Sequence, residues 1–272
     1  MDKLTFPLSL WQHTDFQGDF LTLLGAAGHG VELGETGDGA NITQIEGTTV
    51  LAVRYADGVL VAGDRRATAG NTIMYDRADK VIDVDDHSVM AISGSPALAY
   101  EMARVLEYSF RYYRRSQLQE LSMEGKLRTL SRLVRDNLGM ALQGIGVVLP
   151  LFATYDLDDD EGRLYFYDAL GTQFEMAEFA VAGSGSVWIR GALYYQNRWQ
   201  RRLVDGDLRE ATATTLRMLE AAAHYDAATG GVREQTAIVP TLKAITRDGV
   251  QTLEEAYLRE VYTDAVEGSD VR

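Results

Sequence analysis

The chain has 272 residues, an apolar share of 46% and no cysteine. It can bury a sizeable core, but it cannot form a disulfide, use a thiolate nucleophile or bind zinc through sulfur. Its formal net charge of −14 argues against nucleic acid and anionic membrane surfaces as partners.

The first 47 residues stand apart in composition. They hold glycines at 18, 25, 28, 30, 34, 37, 39 and 47, and seven acids against one base, Lys3. Little between Gly25 and Gly39 can pack, so a flexible leader is expected there. The start lacks a basic end followed by an apolar run, and no stretch is long and apolar enough to span a bilayer, so a cytoplasmic protein is expected.

The texture changes at Thr48. Residues 48–55 read as a buried strand, Ala56-Asp57-Gly58 as a hairpin turn and 59–63 as the returning strand. A second pair, 80–84 and 89–93, flanks Asp85-Asp86. A helix over about 96–115 opens on Pro96, where a missing N–H does no harm. A second helix, about 122–142, carries Leu127, Leu130, Val134 and Leu138 on one stripe.

Strands return at 149–155 and 163–168 around an acidic turn, Asp158-Asp159-Asp160-Glu161-Gly162. Another at 179–182 leads into Gly183-Ser184-Gly185-Ser186 and a helix to about 202. A fourth helix, about 208–225, stops before Gly230-Gly231, and strands 236–245 and 250–253 follow. Residues 254–272 read as a polar extension. Arg111, Arg114 and Arg115, like Arg198, Arg201 and Arg202, fall at helical spacing and read as solvated faces or subunit contacts. Runs of strands broken by helix pairs predict an α+β fold, a four-layer αββα sandwich of two antiparallel sheets flanked by helix pairs.

Familiar catalytic signatures are missing. There is no G-x-S-x-G elbow and no Walker A pattern, and the Gly28/Gly30/Gly34 spacing is wrong for a dinucleotide loop. His13, His29, His87 and His224 match no metal-ligand pattern, so neither a metal nor another cofactor is expected. His224 with Asp226 suggests part of a serine triad, but a histidine near a helix end is more often structural.

Thr48 offers different chemistry. A threonine hydroxyl needs a base to take its proton. When threonine begins a chain, its own α-amine is a base that titrates near neutrality. Such a site needs a cleavable glycine before the threonine, a cation to keep the amine neutral and an anion to hold that cation. Gly47-Thr48-Thr49-Val50, then Gly63-Asp64-Arg65-Arg66-Ala67-Thr68, then Lys80 supply this set, with Asp64 16 and Lys80 32 residues after Thr48. Other Gly-Thr and Gly-Ser bonds act as controls. At the same offsets Thr172 meets Trp188 and Val204, Ser95 meets Arg111 and Leu127, and Ser184 meets Gln200 and Leu216. Singly, each residue has a bland reading: Thr48-Thr49 starts a strand, Asp64 sits in a turn, Lys80 is a surface charge and Gly183–Ser186 caps a helix. Their joint spacing is what carries the functional reading.

These motifs resemble proteasome β subunits of the bacterial, actinobacterial type, which are threonine peptidases of the N-terminal-nucleophile hydrolase class. The likeness spans Thr48 to about Leu253. It implies Thr48, Asp64, Lys80, Ser184, Asp226 and Thr229 as catalytic residues and Gly94, in Ser93-Gly94-Ser95, as the oxyanion donor. Arg66 would brace the cluster, and residues 1–47 would be a propeptide removed by self-cleavage at Gly47–Thr48. Thr229 departs from the family's usual serine but keeps the hydroxyl. The matching specificity-pocket positions, Ala67, Ala78, Ile82 and Ile92, imply cleavage after large apolar residues.

The resemblance also implies seven-membered β rings stacked in pairs, capped by α rings and fed unfolded or tagged chains by a ring ATPase. Three rivals compete. A two-component bacterial protease of the same class, which forms six-membered rings, is distinctly shorter. An inactive ring scaffold would lack the Thr–Asp–Lys set. A small-molecule amidohydrolase usually begins with Cys or Ser.

Overall fold

The structure is a computed structural model, and it describes residues 48–69, 72–142, 146–232 and 238–266. The chain divides into two units, Met1–Ile42 and Thr43–Arg272, and all described residues belong to the second. The expected leader 1–47, with Gly47, lies outside the described residues, as do 236–237 of an expected strand.

β1 (Thr49–Tyr55) and β2 (Gly58–Gly63) form the expected hairpin, with Val50 opposite Gly63 and Tyr55 opposite Gly58. β10 (Phe179–Gly183) pairs with the free side of β1. β11 (Thr241–Thr246) pairs with β2, and β12 (Gly249–Thr252) closes a five-stranded sheet, β10-β1-β2-β11-β12. The second sheet runs in chain order through β5 (Val81–Asp85), β6 (Ser88–Ala91), β7 (Leu151–Asp156), β8 (Glu161–Tyr167) and β9 (Gln173–Met176). All pairings in both sheets are antiparallel. β3 (Ala67–Ala69) and β4 (Thr72–Tyr75) form a separate two-stranded sheet.

Strand alternation sorts the core into three layers. Val50, Ala52, Val59 and Val61 point between the sheets and meet Val81, Val89, Leu151 and Leu164. Leu51, Val53, Leu60 and Ala62 point the other way, onto α4 (Ser186–Trp199) and α5 (Leu208–Tyr225) through Ile189, Leu193, Leu216 and Leu219. Met90, Phe152 and Tyr165 face α1 (Pro96–Gln117) and α2 (Met123–Asp136) through Leu106, Phe110, Leu127 and Leu130. Both faces of β1 are therefore apolar and buried, which is why it reads as a continuous apolar run. Each fully buried leucine contributes about 1.5–3 kcal/mol. The four-layer αββα sandwich is borne out.

Besides β3, β4 and β9, which no expected strand covers, four details differ from expectation. The helix expected over 122–142 breaks at Asn137, leaving α2 and a short α3 (Leu138–Leu142). Asn137 caps α2 with its own N–H to Val134 O and sends Nδ2 to Gly146 O, 2.9 Å away. The helix expected to reach about 202 ends at Trp199, and a 3₁₀ turn follows at Leu203–Asp205. The strand expected from 236 is β11, beginning at Thr241. Residues 254–272 are not merely a polar extension, because α6 (Glu255–Ala265) buries Leu258, Val261 and Ala265 at helical spacing. Arg209 ties α6 to α5 through Glu260 and Asp264.

Four of the six arginines in the two basic clusters are ion-paired at the surface. Arg111 meets Glu107, Arg114 meets Asp86 and Glu120, Arg201 meets Glu210 and Arg202 meets Glu178. No helix among the described residues is long and apolar enough to cross a membrane.

Candidate active site

The β1–β2 hairpin brings the residues before β1 beside those after β2. Thr49 N–H donates to Asp64 Oδ1 at 2.7 Å, and Asp64 N–H donates back to Thr49 O at 3.1 Å. Lys80 leads into β5, a strand of the facing sheet, and sends Nζ to the same Oδ1 at 2.6 Å and to Arg66 O at 2.5 Å. The other carboxylate oxygen, Oδ2, accepts Arg66 N–H and Gly230 N–H, each at 2.9 Å.

Asp64 is fully buried and Lys80 is 3% exposed. Four donors converge on one carboxylate, which is how a buried charge is held. Burial pushes the Lys80 ammonium below its ordinary pKa, while the Asp64 carboxylate opposes that shift. Thr48, 3% exposed, sits next to this ion pair because its neighbour Thr49 is bonded to it.

A second group closes the other side. Ser184 N–H donates to Thr48 O at 3.0 Å. Gly183 makes this approach possible: its φ is +96°, and a Cβ there would lie 1.9 Å from Thr48 O. Asp226, which ends α5, accepts Ser184 Oγ at 2.6 Å and Thr229 Oγ1 at 2.5 Å on Oδ2, and Ala228 N–H at 3.0 Å on Oδ1. Burial alone would raise the Asp226 carboxyl. The bonds from Ser184, Thr229 and Ala228, together with the Lys80 charge, outweigh it and hold Asp226 below the usual carboxylate value.

Arg66 joins the two halves, donating Nη1 to Ala227 O at 2.8 Å while pairing through Nε with Asp76 at 3.2 Å. His224 plays no triad role, since it packs edge-on against Tyr225 and Asp226 is engaged elsewhere.

Gly94 follows β6 with φ +102°, and a Cβ would lie 1.9 Å from Val147 O. Ser95 N–H to Val147 O and Leu149 N–H to Ser93 O fix the backbone on either side of it. The four positions expected to line a specificity pocket, Ala67, Ala78, Ile82 and Ile92, lie on segments near Lys80. Ile92 N–H bonds to Lys80 O, Ala78 N–H to Arg65 O, and Ala67 begins β3. Ile92 is buried in the core beneath α1, and Ile82 packs against that core. Two contributors were not read from the sequence: Asp76, which holds Arg66, and the Thr49 side chain. An aspartate ten residues from its arginine carries no motif, and the Thr49 hydroxyl meets a partner 180 residues away.

Residues 45–238 match the family described as Proteasome subunit, a span that takes in Thr48, Asp64, Lys80, Gly94, Ser184, Asp226 and Thr229. The chain belongs to the proteasome subunit family. It is similar to "Proteasome subunit beta 2" of Thermomonospora curvata, 43% identical over 225 residues, covering 82% of this chain and 77% of that one. Against "Proteasome subunit beta" of Streptomyces griseus the identity is 38%, covering 81% and 76% of the two chains. Against "Proteasome subunit beta" of Acidothermus cellulolyticus it is 40%, covering 76% and 71%. The resemblance to actinobacterial proteasome β subunits drawn from the Thr48–Asp64–Lys80 spacing is thus borne out.

Proposed function

We propose that this proteasome-family chain is a catalytic β subunit of the 20S core, a threonine endopeptidase that degrades unfolded proteins to peptides in the cytoplasm. One observation carries the reading: a buried ammonium–carboxylate pair bonded directly to the residue after Thr48. After cleavage at Gly47–Thr48, Thr48 is the first residue and its α-amine is free. Thr48 Oγ attacks the scissile carbonyl, and the amine accepts its proton through a water. The Lys80 charge lowers the amine's proton affinity and favours the developing alkoxide, while Asp64 holds Lys80 in place.

Gly94 N–H donates to the oxyanion, an effect typically worth about 3 kcal/mol. The amine half of the substrate leaves with the proton, and water then hydrolyses the Thr48 ester. Ser184, Asp226 and Thr229 orient the amine and its water, and Arg66 braces both halves. The same hydroxyl releases residues 1–47 by attacking the Gly47 carbonyl. Because the amine is still in a peptide bond then, a water acts as base.

Ala67, Ala78, Ile82 and Ile92 line the specificity pocket and favour large apolar residues. The chain assembles as a seven-membered ring, paired with a second β ring, capped by α rings and served by a ring ATPase that delivers unfolded or tagged proteins. Purified with an α partner, the protein should hydrolyse a fluorogenic peptide ending in Tyr faster than ones ending in Arg or Glu. Thr48→Ala should leave an uncut chain with no activity. Maturation of Thr48→Ala at Gly47 would disprove self-cleavage.

A further inference from the structure

Thr49 is bonded to both halves of the site at once. Its N–H and carbonyl hold Asp64, and its hydroxyl lies 2.6 Å from Thr229 Oγ1. Both threonine side chains are buried, in residues that are 0% exposed. The direction of the bonds is fixed by counting hydrogens. Thr229 spends its one hydroxyl hydrogen on Asp226 Oδ2, which only accepts. Thr49 must therefore donate to Thr229, and Gly185 N–H donates to Thr49 Oγ1 at 3.0 Å.

The space for this chain is kept by Gly185. A Cβ there would come within 2.6 Å of Thr49 Oγ1 and 2.7 Å of Thr229 Oγ1. We propose that Thr49 is a positioning residue of the peptidase: a one-way relay, Gly185 N–H to Thr49 to Thr229 to Asp226, sets the Asp226 carboxylate that holds Ser184 beside Thr48. Donors in series strengthen one another, so removing the upstream hydroxyl weakens the Thr229–Asp226 bond as well as its own. The Thr49 hydroxyl touches no reacting atom and acts only through Asp226. The inference rests on the peptidase reading of Thr48.

The test uses the full chain assembled with its α partner. Thr49→Val keeps the shape and β-branching and deletes the hydroxyl, whereas Thr49→Ser keeps the hydroxyl and deletes the methyl. Losing a bond to an ionised network predicts a fall in kcat of about tenfold in Thr49→Val with KM nearly unchanged, a melting temperature lower by a few degrees because Gly185 N–H loses its buried acceptor, and Thr49→Ser close to the parent. In an Asp226→Ala background, which removes the acceptor, Thr49→Val should change kcat by less than about twofold, because its route is already cut. Amide exchange at Gly185 should quicken in Thr49→Val and not in Thr49→Ser.

Parent-like kcat in Thr49→Val, or an equal loss with and without Asp226, would overturn the relay. So would unchanged Gly185 exchange. If Thr49→Val fails to fold, Thr49→Ala against Thr49→Ser makes the same comparison. A parent with no Thr48-dependent activity would sink the peptidase reading alone, since Gly185 exchange still reads the relay.

Discussion

Replacing Lys80 by methionine preserves most of the side chain and deletes its charge. Asp64 would then stay buried with the N–H donors of Thr49, Arg66 and Gly230 and no counter-ion. Breaking a buried pair by removing one partner costs about 3–5 kcal/mol, and three surviving donors put this case near the lower end. The kinetic cost follows from position. Lys80 Nζ and Thr49 N both contact Asp64 Oδ1, at 2.6 and 2.7 Å, which keeps the cation close to the Thr48 backbone.

A unit charge about 5 Å away, at an effective dielectric of about 20, acts with about 3 kcal/mol. That corresponds to about a hundredfold in rate. In the proposed mechanism it falls on the transition state, where the alkoxide forms, so kcat should drop while KM holds. Initial rates on a Tyr-ending fluorogenic peptide, with melting curves to confirm folding, measure both. A folded Lys80→Met enzyme within about threefold of the parent would refute the electrostatic argument.

Other expectations follow from single contacts. Asp226 has its carboxyl pKa held below the ordinary value of 3.8, so its stabilising contribution is present above that pH and is lost as pH falls through the lower, folded value. Asp226→Asn should therefore lower the melting temperature at neutral pH, with the gap to the parent closing under acid, as a melting series in pH would reveal. Gly94→Ala forces a side chain into Val147 O at a positive φ, and should lower kcat by about a hundredfold or more in the same peptide assay. Thr229→Ser keeps the hydroxyl that Asp226 accepts and should retain kcat within about threefold, whereas Thr229→Val should not.

Much of this architecture was legible because period and chemistry agreed. Val50 and Ala52 alternate with Leu51 and Val53, and that pattern places β1 in a layer covered on both sides. Thr48, Asp64 and Lys80 were legible because a hairpin and a facing strand convert fixed sequence offsets into one cluster. β4 escaped detection because all four of its residues are exposed, so its burial has no period. α6 escaped because only three of its eleven residues are buried, among charges that read as solvated tail. The hydroxyl chain from Thr49 to Asp226 escaped for a different reason: its links are long-range contacts between small polar residues, and no local pattern announces them.

The most direct trial of the mechanism is to block one amine. A mature chain beginning at Thr48 can be made with and without an Nα-acetyl group, its state verified by intact mass, and assembled with the α partner. The account predicts full peptidase activity with the amine free and loss of nearly all of it with the amine acetylated, because an amide nitrogen cannot take the Thr48 hydroxyl proton and the water that serves the single self-cleavage is a far weaker base. Undiminished hydrolysis by the acetylated chain would contradict it.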